Sequence, residues 1–200
     1  MSLTKLGDIA AKAYGIETPL NRTGGKAGTV FDLTLQNLNF RAARLGMPPA
    51  GIELVRERAA FEFNKGVLLC ESPLECMALA ALINADWPHF TTIPPLVHDA
   101  KAEAELPEGD LIIVPQFAFV RHRLDLAVIV RGRLGQRIVA IECDGKEYHD
   151  PVADAARDRY LKSWGLRTYR ITGKELYRDA ARAVEPAVFD ISSWKQDTTQ

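Results

Sequence analysis

The sequence predicts an α/β fold preceded by a helical extension. Two observations carry the prediction. Residues 1–65 repeat apolar side chains at three-to-four spacing, the period of an amphipathic helix. From Leu111 onward, β-branched and aliphatic runs are bounded by Gly and Pro and interleaved with helical stretches. Composition agrees: 200 residues, 47% hydrophobic and 26% charged, suit one ordinary domain with or without an arm. A disordered polymer and a fibre are excluded.

Taken in order, Leu3 to Ala13 reads as a short amphipathic stretch, and Asn21 to Gly28 as a flexible break. Gly24, Gly25 and Gly28 invite a phosphate-loop reading, but no strand precedes them and no G-K-[ST] follows, so a solvated turn accounts for them better. Val30 to Leu45 and Ile52 to Asn64 are helical, separated by Gly46-Met-Pro-Pro-Ala-Gly51. Ser72-Pro73-Leu74-Glu75 places a capping hydroxyl before a proline, with Glu three residues on, and predicts a helix to about Ala85. Trp87 to Asp110 reads as loop with an acidic patch at 103–110. A three-strand meander follows: Leu111 to Val120, Leu124 to Val130 and Arg137 to Cys143, the last two joined by a hairpin connection. Pro151 to Trp164 reads as a helix ended by Gly165, with Trp164 as a core residue. Leu166 to Ile171 is a strand and Gly173 to Val184 a last helix. The expected units are a helical extension over 1–68, a catalytic domain over 69–190 and a flexible tail over 191–200.

Charge and cysteine usage narrow the function classes. The net charge of −1 argues against a general nucleic-acid glue. Residues 121–179, however, hold 13 Lys and Arg against 9 Asp and Glu, whereas residues 1–120 hold 10 against 14. The apolar run Met77 to Ile83 is too short to cross a bilayer, and no secretory signal is visible, so a cytoplasmic setting is expected, with no membrane partner. Cys70, Cys76 and Cys143 form no C-x-x-C, so small buried thiols are expected rather than a disulfide framework.

Acids placed inside apolar strands are the informative feature. Asp125 lies in Leu-Asp-Leu-Ala-Val-Ile-Val, and Glu142 and Asp144 lie in Ile-Glu-Cys-Asp-Gly. Burying such charges is costly. Glu142 and Asp144 share a strand face, about 7 Å apart along the chain. Asp125 comes beside Glu142 if the hairpin pairs the two strands. Two readings stay open on residue chemistry alone: a divalent cation held by oxygen ligands, or acids paired with Arg121, Arg123, Arg137 and Arg170.

Arg123-Leu124-Asp125, Ile141-Glu-Cys-Asp-Gly145 with His149, Asp154 to Leu161 and Gly165 to Ile171 stand in an order that resembles the PD-(D/E)XK restriction-endonuclease-like superfamily. Ser72 to Glu75 resembles the opening-helix motif of the branch that holds the very-short-patch-repair endonuclease. The resemblance spans about residues 70 to 180 and implies a restriction-endonuclease-like core, a central mixed sheet flanked by helices. It implies Asp125 and Glu142 as metal-binding acids, with the Cys143 carbonyl as a further ligand. Asp144 stands where many members have the lysine of E-x-K, and Leu124 replaces the proline of Pro-Asp, which leaves the water-activating group open between Asp144, Lys146 and His149.

Other candidates carry two readings each. Glu75 either completes the acidic cluster or only caps its helix through Ser72. Gln116 either lies near the site or serves local hydrogen bonding. Arg157, Arg159 and Lys162 either hold phosphates or form a solvated face, and Arg170, inside a strand, is expected to touch an acid or a phosphate. The function this favours is Mg²⁺-dependent hydrolysis of phosphodiester bonds, with Mn²⁺ as a substitute metal, on DNA more than RNA. The N-terminal helices are expected to serve specificity, dimerisation or partner binding. The alternative is a catalytically inactive nucleic-acid-binding or interaction module of the same fold. A carboxylate-pair glycosidase is weaker, because aromatics make up only 8% of the chain.

Overall fold

A computed structural model describes residues 26–87, 94–99, 111–132, 135–145 and 151–197. Helices α1 (Lys26–Arg44), α2 (Pro49–Val67) and α3 (Pro73–Ile83) come first. Strands β1 (Leu96–Val97), β2 (Leu111–Phe119), β3 (His122–Gly132) and β4 (Gly135–Asp144) follow, then α4 (Pro151–Ser163), β5 (Arg167–Thr172) and α5 (Gly173–Asp197). The five strands form one sheet in the order β1-β2-β3-β4-β5. The central pairs β2/β3 and β3/β4 are antiparallel, and the outer pairs β1/β2 and β4/β5 are parallel. This is the expected mixed sheet flanked by helices, with a helical N-terminal part.

The sheet separates two cores. On one face Ile113, Leu126, Val128, Val139 and Ile141 pack against α1, α2, α3 and α5. On the other, Ile112, Val114, Ala127, Ile129 and Ala140 meet Leu161 of α4 and Leu166. Strand alternation produces this division, since successive side chains point to opposite faces. Burial of each large apolar side chain contributes roughly 1.5–3 kcal/mol.

Helix α3 lies innermost: every residue from Glu75 to Ile83 is buried. A helix apolar all round must be covered on all sides, and α1, α2 and α5 supply that cover. Ser72 Oγ accepts the Glu75 N–H at 3.2 Å, and Pro73 occupies the first turn, as the sequence predicts. Close approach is enforced at Gly66 of α2, where an added Cβ would sit 2.6 Å from Leu79 Cδ2 and 3.0 Å from Val97 Cγ1. The buried Glu62 accepts the Val97 N–H at 2.8 Å and pairs with Arg58 and Lys65. That carboxylate supplies β1 with an anchor that no pattern in a two-residue strand could signal.

Four expectations are corrected. Gly28 belongs to α1 and is buried, because the helix begins at Lys26 rather than at Val30. Trp164 is 60% exposed: α4 ends at Ser163 and Gly165, at φ +78°, turns the chain so that Leu166 takes the core position instead. The last helix does not stop near Val184, and no free tail begins at residue 191. Asp179 breaks the helix at φ −163°, its Oδ1 recaps the chain through the Arg182 N–H at 3.1 Å, and α5 then runs to Asp197 with Ile191 fully buried. Within that second segment the buried Asp190 accepts from Arg137 and from the Tyr169 hydroxyl, both at 3.0 Å, which ties the helix to β4 and β5. The Leu3–Ala13 stretch, the 103–110 patch, Lys146 and His149 lie outside the described residues.

Candidate active site

The ladders break where the acids gather. Along β2/β3 the pairs Pro115↔Leu126 and Phe117↔Leu124 are formed, and Gln116 and Asp125 between them drop out. Gln116 takes a left-handed φ of +53°, a conformation a non-glycine residue adopts at some cost. Alternation is lost at the same place. Leu124 and Leu126, two residues apart, lie in opposite cores. On the other side, the β3/β4 ladder ends at Leu126↔Ile141, one residue before Asp125 would meet Glu142. The Asp125 carboxylate fills the gap, its Oδ2 accepting the Cys143 N–H at 2.8 Å. A backbone donor freed by strand divergence is thus satisfied by the residue that diverges.

Three elements deliver acids to this point. Glu75 comes from the first turn of α3, Asp125 from β3, and Glu142 and Asp144 from β4. Glu75 Oε2 accepts the Gln116 side-chain amide at 2.7 Å and the Glu71 N–H at 2.9 Å. Ser72 caps the helix through the Glu75 N–H, while the Glu75 side chain turns toward the break in β2. Glu142 is 5% exposed and opposes Arg170 on β5. The half-buried Cys143 packs its side chain on the core that holds α3 and α5.

The electrostatics of the acids reflect their burial and proximity. Burial and then the neighbouring Asp125 raise the Glu142 carboxyl to about 7, with Arg157 opposing the shift. Asp125 is also raised, chiefly by burial, against the Cys143 N–H and Arg157. Glu75 is raised by burial, with a smaller push from Asp125. The Cys143 thiol is driven well above its usual value by burial and then by Asp125, Glu75, Glu142 and Asp144. The Cys143 side chain thus lies within electrostatic reach of all four carboxylates.

Arginines offset part of this charge. Arg157 Nη2 donates to Glu142 Oε1 at 2.8 Å and to the Arg123 carbonyl at 2.9 Å. Arg170 pairs with Asp144 at 3.3 Å and with Asp158 at 3.1 Å, which meets the expectation that it touches an acid. Arg159 and Lys162 are exposed. A cavity of about 720 Å³, walled by Leu74, Gly173 and Tyr177, opens beside Asp144.

Sequence reasoning missed two features. The left-handed Gln116 has no local sequence signal, since neither Gly nor Asn marks it. The Arg157–Glu142 pair joins residues on α4 and β4, which only the packing of that helix brings together.

Among the described residues, no group of three or more His, Cys, Asp or Glu side chains is arranged to hold a metal ion. The donor chemistry nonetheless suits a hard cation with few protein ligands. Asp125 Oδ1 and Glu142 Oε2 carry no hydrogen bond from the described residues, and Mg²⁺ is commonly bound by one or two carboxylates while keeping several waters.

A mixed sheet flanked by helices, with buried acids gathered where its central strands diverge, is consistent with a restriction-endonuclease-like core. Comparison with known families agrees: a restriction-endonuclease-like family model, REase_MTES_1575, matches residues 100–191, somewhat less than half of the chain. The match supports nuclease activity in general and a nucleic-acid substrate. No curated protein and no solved structure matches the chain. No helix among the described residues is long and apolar enough to cross a membrane.

Proposed function

We propose that this chain is a metal-dependent endonuclease that hydrolyses phosphodiester bonds, in DNA rather than RNA. The observation that carries this reading is that Asp125, held by the Cys143 N–H, meets the β4 acids Glu142 and Asp144 where the strands diverge, inside the segment 100–191 that is similar to restriction-endonuclease-like proteins. Asp125 and Glu142, with the Cys143 carbonyl, would hold Mg²⁺ or Mn²⁺. A cation bound there supplies a water of lowered pKa and a clamp on a phosphate oxygen. Asp125 is positioned by the Cys143 N–H, and Glu75 fixes Gln116 beside it. Proton transfer is assigned to His149 or Lys146, the basic side chains that follow Asp144 in sequence. Arg159 and Arg157 would contact the phosphate backbone. The Asp-Gly after Cys143, in place of the E-x-K lysine, supports a place near the very-short-patch-repair branch.

The test is nicking of supercoiled plasmid in Mg²⁺ and in Mn²⁺. Wild type is expected to nick, and Glu142→Ala and Asp125→Asn to fall by roughly 10²-fold or more, the scale of losing one preorganised charged group. Equal nicking by wild type and both variants would overturn the site.

A second reading, a non-catalytic nucleic-acid-binding module, is favoured by one observation: Glu142 and Asp144 are already paired with Arg157 and Arg170. Absence of nicking in either metal, together with retained DNA binding, would select it.

A further inference from the structure

The Arg157–Glu142 contact is an unusual place for a phosphate-binding arginine. The Glu142 side chain is 6% exposed and that of Arg157 24%. The guanidinium spans β3 and β4 by holding the Arg123 carbonyl and Glu142 Oε1 with the same nitrogen, while its buried Nε–H has no hydrogen-bond partner. A buried carboxylate left without a counter-charge is strongly destabilising. Asp125 and Asp144 crowd the same region, so some cation must stand there. Arg157 meets that need without any ligand.

A guanidinium and a divalent cation cannot both occupy the Glu142 carboxylate without mutual repulsion. From this competition we infer that Arg157 is the internal counter-ion of the site: it neutralises Glu142 until a divalent cation takes that carboxylate, and its released charge then serves a substrate phosphate. The inference rests on the metal-dependent nuclease reading and deepens it. It makes cation and nucleic acid bind with positive coupling, because each relieves the other of one half of the ion pair. By linkage the coupling is the same in both directions.

The test is calorimetric titration of Mn²⁺ into wild type, Arg157→Met and Arg157→Lys, each with and without a phosphorothioate duplex that resists cleavage. Without duplex, Arg157→Met is expected to bind Mn²⁺ more tightly than wild type, on the order of tenfold, within the ~5–150-fold span of coupled sites. Arg157→Lys, which keeps the charge on a shorter side chain, is expected to lie between them and guards against loss of folding in the methionine variant. Duplex should tighten Mn²⁺ binding to wild type several-fold and leave Arg157→Met unchanged. Equal or weaker Mn²⁺ affinity in both variants, or duplex enhancement surviving in Arg157→Met, would overturn the counter-ion role while leaving the nuclease reading intact. No Mn²⁺ uptake by any form would overturn both.

Discussion

Asp125 shows how much a single side chain decides. In an ordinary strand it would be an unpaired charge, yet here it replaces a missing ladder partner by accepting the Cys143 N–H. Glu75 is the residue whose pH behaviour is easiest to isolate. Burial raises its carboxyl above the usual value, so the folded chain holds that proton more tightly than the unfolded chain does. Charged Glu75 therefore costs stability above its folded pKa, and the cost vanishes below the unfolded value. Glu75→Gln, melted in denaturant with EDTA, is expected to gain on wild type as pH rises from about 4 and to level off once pH exceeds the raised folded pKa of Glu75. A gap that stays constant with pH would show that burial is not what Glu75 opposes.

At the scale of elements, the local signals served well wherever an element makes its own case. Ser72-Pro73 starts α3, Gly165 ends α4, and the near-continuous apolar runs of β2 to β4 form strands covered on both faces. The signals failed where tertiary contacts extend an element beyond its propensity. Helix α5 persists past Val184 because Ile191 and Val188 have a core to enter and Asp190 has cations to meet. Asp190→Ala leaves Arg137 half-buried without its carboxylate and frees the Tyr169 hydroxyl. It is expected to cost about 3 kcal/mol in chemical denaturation, the scale of a broken buried pair. A cost below about 0.5 kcal/mol, typical of surface substitutions, would mean the C-terminal segment is not tied to the sheet.

For the whole molecule, net charge is near zero, so nucleic-acid affinity must come from a local face. Arg170 is held by Asp144 and Asp158 and Arg157 by Glu142, so on the proposed reading Arg159 and, once a divalent cation has released it, Arg157 are the main backbone contacts. Two neutralised phosphates give a slope of log K against log salt of about −2 for duplex DNA. Fluorescence anisotropy across a salt series measures it. A slope near zero would exclude phosphate contacts from this face.

By itself the sequence determined the order of the helices and of strands β2 to β5, the main caps and the list of acids, because these follow from short-range periodicity and from the cost of charge in apolar runs. Strand β1, inside the stretch that reads as loop, is not among them. Tertiary structure alone decided how the acids meet. The divergence of β3 from β4, the left-handed turn at Gln116 and the reach of Arg157 across to Glu142 depend on contacts between residues 15 to 41 positions apart, whose energies no local pattern encodes.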